Sequence, residues 1–236
     1  MAGGLSVYAK HTRTNTYGFL AALPLFAAYE LFLLWSNPVN GRVVRVGAEV
    51  WTKELLWMIG LQGQLALGLI VILAGLVILW RDRHRNIPIR ISYFMGLLLE
   101  SGLYAVVFAV LISSFVGMVF AVIPPLETGQ ITHLGLSIGA GLYEELFFRV
   151  LLVSGLYAVV RVLSNLNRTR SYIIAAVVGA LIFSAVHYLG PLGDAFALPS
   201  FLFRFLFGLV LNALYVVRGF AVAAWTHALY DIMLVL

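Results

Sequence analysis

The chain has no cysteine among its 236 residues, which excludes disulfides, thiol nucleophiles and thiolate metal sites while leaving the compartment open. Charge is scarce too. Asp, Glu, Lys and Arg make up 11% of the residues, where a soluble domain carries about a quarter. No His-Glu-x-x-His string occurs, so the usual sequence sign of a zinc protease is missing. There is no internal repeat and no low-complexity tract. What fills the chain is apolar: 62% of residues are hydrophobic and the mean hydropathy is +1.01. The net charge of +5 sits in short loops between apolar runs and forms no extended basic face, so no nucleic-acid partner is expected.

Runs long enough to cross a bilayer occur near 17–35, 62–80, 91–123, 134–160, 171–189, 200–217 and 219–236. The 91–123 run exceeds one upright helix and can hold a helix plus a shorter return segment. These runs predict an all-α, polytopic integral membrane bundle of about seven to eight transmembrane helices, folded as one domain over 1–236. Residues 36–61, with Trp51, Trp57 and scattered charges, read as an amphipathic interfacial stretch. Loops are expected at Asn37-Pro38, Pro124-Pro125 and Gly190-Pro191.

Lys10, Arg13, Arg81, Arg83, Arg85, Arg90, Arg161, Arg168, Arg170 and Arg218 all fall on one side if seven spans alternate, and positive charge favours the cytoplasm. Arg42, Arg45 and Lys53 would then lie outside. The first run lacks a small-residue cleavage site and is expected to be a retained span. The expected location is the cytoplasmic membrane of a bacterium or archaeon.

Three strings place ionisable groups inside these runs, where they are costly and mark a protected interior. They are Glu144-Glu145 with Arg149, Phe183 with His187, and His227 with Asp231. At 100° per residue Glu145 and Arg149 share a helix face, acid first, which favours an ion pair. Glu144 turns away from that pair and is the carboxylate left for a base. His187 shares a face with Phe183, and His227 with Asp231. Gly135 and Gly139 upstream allow another helix to approach closely.

The order Glu-Glu-x-x-x-Arg, Phe-x-x-x-His, His-x-x-x-Asn/Asp resembles the CPBP family of intramembrane glutamic endopeptidases, which contains CAAX prenyl proteases and bacteriocin-processing enzymes. The motif-bearing core spans 134–236. The resemblance implies a helical membrane protease with no metal and no other cofactor, acting on a membrane-anchored protein or peptide near its terminus. By position, Glu144 and His187 would activate water, His227 and Asp231 would line the oxyanion pocket, and Glu145, Arg149 and Phe183 would support them. Family members often have asparagine where this chain has Asp231. Here the aspartate is either protonated or accepts a hydrogen bond from His227; the four-residue spacing favours the second. CAAX-type relatives are expected to open to the cytosol, whereas the seven-span count opens this cavity to the outer side.

Other readings of the same residues are structural. Glu30 and Glu100 are either interior functional groups or helix-packing hydrogen bonds. Arg204 near a span end is expected to snorkel with Asp194 as partner, and His11, His84 and His133 are expected to be solvated. Two other function classes stay open: a zinc hydrolase using Glu144, His187 and His227 as ligands, and a non-catalytic transporter or scaffold.

Overall fold

The computed structural model describes residues 2–36, 43–61, 63–116, 129–190 and 193–236. Asn37-Pro38, Arg42, Pro124-Pro125, Pro191 and the 117–123 end of the long apolar run lie outside these residues. Among the described residues, each of the seven apolar runs holds a helix. In chain order the helices are α1 (Ala2–Thr12), α2 (Asn15–Trp35), α3 (Gly47–Met58), α4 (Gly63–Asp82), α5 (Ile91–Val116), α6 (Gln130–Leu163), α7 (Arg168–Val186), α8 (Leu198–Arg218) and α9 (Phe220–Val235). Five of them, α2, α5, α6, α7 and α8, are long and apolar enough to cross a membrane, and α9 is a shorter apolar helix. The expected all-α, polytopic class is borne out.

Helix α9 stands at the centre. Its residues Ala221, Val222, Ala223, Ala224, Thr226, His227, Ala228 and Tyr230 are all buried, and it packs against α2, α5, α6 and α8. Between apolar helices in lipid, water expulsion contributes little, so close packing of small residues and interhelical hydrogen bonds decide the arrangement. The alanine run on α9 meets that need. Gly141 on α6 lies so close that a Cβ there would stand 2.5 Å from the Ala224 carbonyl oxygen and 2.5 Å from the Ala228 Cβ. On the α2 side, a Cβ at Gly139 would stand 2.3 Å from the Tyr29 ring. Polar ties complete the bundle: Trp225 Nε1 donates to the Ala21 carbonyl (2.9 Å), Tyr172 to the Asn212 carbonyl (2.7 Å), and Asn212 Nδ2 to the Ala176 carbonyl (2.9 Å).

Within α6 the segment Ala140–Val153 winds as a π-helix. Such i→i+5 winding is rare, occurs mostly as single turns, and often accompanies functional sites. It carries Glu144, Glu145 and Arg149.

The helix ends sort into two groups. Thr16 Oγ1 donates to Asp82 (2.8 Å), Tyr17 Oη to the Pro88 carbonyl (2.7 Å), and Arg218 Nη1 to the Ala9 carbonyl (3.2 Å). The start of α2, the end of α4, the approach to α5 and the end of α8 therefore meet at one end of the bundle. His187, which caps α7, and the 193–197 connection to α8 lie at the other end, where Asp194 N donates to the His187 carbonyl (2.9 Å).

Two histidines expected to be solvated lie in helices, and the isolated glutamates have partners. His11 lies in helix α1 and stacks on Tyr93 at 6.3 Å, and His133 is half-buried in the first turn of α6. Of the two isolated glutamates, Glu30 pairs with Arg45 at 3.5 Å. Glu100 joins helices: it accepts from Arg218 Nε (2.5 Å) and Nη2 (2.7 Å) and from Tyr8 Oη (2.8 Å). Within the 36–61 stretch, α3 buries Glu49 completely, against Tyr29, Arg45 and Lys53.

Candidate active site

Three helices deliver the ionisable residues of the motifs to one place. Glu144 Oε2 on α6 lies 3.9 Å from His187 Nε2 at the end of α7 and 4.0 Å from His227 Nε2 on α9. Asp231, one turn beyond His227, brings Oδ2 to 3.6 Å from the same Nε2. Glu144 Oε2 is buried and accepts no hydrogen bond among the described residues. The side chains of Glu144, His187 and Asp231 are 16%, 25% and 27% exposed, while His227 is nearly closed off. The group thus has an opening on the side of Glu144, His187 and Asp231 and a closed wall behind His227.

The tautomers follow from the partners. His187 Nδ1 lies 2.7 Å from the Phe183 carbonyl oxygen. A carbonyl only accepts, so Nδ1 carries the proton and, in the neutral ring, Nε2 presents a lone pair toward Glu144. His227 Nδ1 lies 2.8 Å from Glu145 Oε1. Arg149 Nη1 reaches the same oxygen at 2.9 Å. Glu145 therefore holds an acceptor between a guanidinium and an imidazole, and Nδ1–H of His227 donates to it.

This corrects one sequence expectation. The imidazole of His227 is oriented by Glu145, 82 residues away in the chain. Asp231 at 3.6 Å stands beyond hydrogen-bond range, although it shares the helix face as its spacing requires. Glu145 is thus the partner of Arg149 and of His227 at once. No spacing rule could have linked residues on α6 and α9. Their shared signal was only that both are ionisable and both lie in apolar runs.

Phe183 forms the wall between the two histidines. It is 2% exposed, with its ring 5.0 Å from the His187 ring and 6.0 Å from that of His227. The Arg149 guanidinium sits 4.5 Å over its face, an arrangement that stabilises a desolvated cation. Arg149 also donates to the Gly208 carbonyl at 3.5 Å.

Arg204 differs from its expectation as well. It pairs with Asp194 as its position suggested. Its side chain is nevertheless only 14% exposed, Nη1 is buried without a hydrogen-bond partner, and its charge reaches Glu144, His187 and Asp231. The arginine is a fixed cation beside the opening.

Among the described residues, no three His, Asp or Glu side chains form a group that could hold a metal ion.

Among curated proteins and among solved structures, no match was found. Residues 127–233 match the family model described as "Rce1-like: Type II CAAX prenyl endopeptidase Rce1-like". That segment holds every residue of the site and suggests a CAAX-type intramembrane protease in an integral membrane protein with a membrane-anchored substrate. The match bears out the resemblance drawn from the three strings: residues 127–233 are similar to the Rce1-like type II CAAX prenyl endopeptidases.

Proposed function

We propose that the chain, acting as one integral membrane domain, is a metal-independent endopeptidase in which Glu144 and His187 activate water. The observation that carries this reading is the placement of Glu144 Oε2, buried and without a hydrogen bond, 3.9 Å from a histidine nitrogen whose tautomer makes it an acceptor. A single water can lie within hydrogen-bond reach of both, at about 2.8 Å from each. It donates one hydrogen to Glu144 and the other to His187 Nε2.

Glu144 takes a proton as the water oxygen bonds to the scissile carbonyl carbon. Negative charge then moves onto the carbonyl oxygen. His227 has Nδ1–H committed to Glu145, and in its protonated form it donates Nε2–H toward that oxyanion from a site closed to bulk water, where such a donor is most effective. Asp231 lines the same side. The intermediate collapses with cleavage of the C–N bond, and the proton held by Glu144 passes to the leaving amine. One water is consumed, and a carboxylic acid and an amine result.

The test compares the termini of membrane proteins by mass spectrometry in cells with the chain, without it, and with Glu144→Gln. The amide keeps the shape and removes the base, so cleavage should fall by about 100- to 10,000-fold, the usual contribution of general acid–base catalysis. A Glu144→Gln variant that restores the termini would overturn the assignment. Activity abolished by a chelator and restored by zinc would replace it with the metal reading.

A further inference from the structure

The end of the bundle opposite the candidate site holds an open basic depression that the peptidase reading does not use. Its walls include Lys10 and Arg13 at the end of α1, Thr14 and Asn15 where α2 begins, Arg85 beyond α4, and Arg218 at the end of α8. Among the described residues, no acidic side chain lines it. Two of its four cations are neutralised from behind, Arg218 by Glu100 at 2.5 Å and Arg85 by Asp82 at 3.2 Å. Lys10 and Arg13 are exposed, and no ion pair of either is found among the described residues. The cavity therefore offers two uncompensated positive charges in a concave, largely preformed setting.

The preformation has a structural cause. Arg218 is buried and donates to the Ala9 carbonyl at 3.2 Å and to Thr12 Oγ1 at 3.1 Å, while Tyr8 Oη donates to Glu100 at 2.8 Å. These bonds fix α1 against α5 and α8. Gly219, at φ +91°, brings the start of α9 against the same turn, where a Cβ would stand 3.2 Å from the Arg13 carbonyl oxygen.

We propose that this cavity binds the phosphate of an anionic phospholipid headgroup. Position decides between lipid and free phosphate. The cavity lies where apolar helices begin and end, so its depth in the bilayer is that of the headgroups. Basic pockets between transmembrane helices on the cytoplasmic side are suited to anionic headgroups, each cation near the surface adding attraction.

The experiment is native mass spectrometry of the purified full chain titrated with dioleoylphosphatidylglycerol, with dioleoylphosphatidylcholine and inorganic phosphate as separate arms. Phosphatidylglycerol should be retained in preference to phosphatidylcholine, and inorganic phosphate should not displace it at equal concentration. Lys10→Gln with Arg13→Gln should weaken retention about tenfold or more. Lys10→Arg with Arg13→Lys should preserve it. Arg168→Gln with Arg170→Gln removes the same charge from the same expected membrane face outside the cavity, and should leave retention unchanged. Equal losses in the two glutamine pairs would overturn the site in favour of diffuse attraction. Equal retention of phosphatidylcholine would overturn the anion, and displacement by inorganic phosphate would overturn the lipid.

Discussion

His227 Nδ1 stands 2.8 Å from Glu145 Oε1, and Arg149 Nη1 stands 2.9 Å from the same oxygen. One carboxylate oxygen thus serves two buried cationic or donor groups on different helices. Glu145→Ala strands both, and breaking such a buried pair is expected to cost about 3–5 kcal/mol. Replacing Glu145 and Arg149 together by apolar residues relieves the stranded guanidinium but leaves the imidazole without its acceptor. The double variant should therefore recover thermal stability relative to Glu145→Ala and fail to recover cleavage. Recovery of both would show that His227 needs no orientation from Glu145.

Gly141 offers a test of the packing that brings His227 to Glu145. A Cβ there would stand 2.5 Å from the Ala224 carbonyl oxygen and 2.7 Å from the Ala228 backbone nitrogen, and backbone atoms yield little. Gly141→Ala should lose about 1–3 kcal/mol of stability by overpacking, and cleavage should fall further as α9 is pushed from α6. Gly155 lies on the same helix with nothing within 4 Å of its added Cβ. Gly155→Ala should be neutral or stabilising, by up to about 1 kcal/mol. Equal melting temperatures for the two variants would contradict the close approach.

How much of this was legible in the sequence depends on the distance over which each feature is decided. Each of the seven apolar runs holds a helix among the described residues because length and hydropathy are local properties, and the Glu145–Arg149 pair followed from four-residue spacing. The Glu145–His227 bond joins residues on two helices, and spacing within one helix says nothing of it. The π-winding of Ala140–Val153 was also hidden, because α and π geometries accept the same apolar residues and packing selects between them. Arg204 was expected to reach for water because it lies near a helix end. It does pair with Asp194, yet its side chain is only 14% exposed. The short helix α1 was missed because residues 2–12 carry little apolar periodicity.

Asp231 can now be separated from the orientation of His227. Its Oδ2 lies 3.6 Å from His227 Nε2, on the side where the proposed oxyanion develops, while Glu145 holds the other nitrogen. Asp231→Asn should keep substantial activity, since its amide can donate to the oxyanion, and Asp231→Ala should lose much of it. The two active forms should differ in pH–rate profile, because only the carboxylate titrates. Steady-state cleavage by Asp231→Ala at the parental rate would place this residue outside the reaction.

The direction in which the site opens is the remaining test of the architecture. Phe220 begins α9 beside Arg218, at the end of the bundle that carries Lys10, Arg13 and Arg85, and α9 then runs past His227 to Leu236. Positive residues favour the cytoplasm, so this end should face inward. His187, Asp194 and the start of α8 lie at the opposite end, which places the opening toward the outer side and the C-terminus with it. A cytosolic opening, as expected for CAAX-type relatives, would require the basic end to face outward against that preference. Fusion of alkaline phosphatase, active only outside, or of a fluorescent protein that matures only inside, directly after Leu236 separates the two. Phosphatase activity without fluorescence is the expected result. Fluorescence without phosphatase activity would invert the molecule and move both the candidate site and the basic cavity to the other leaflet.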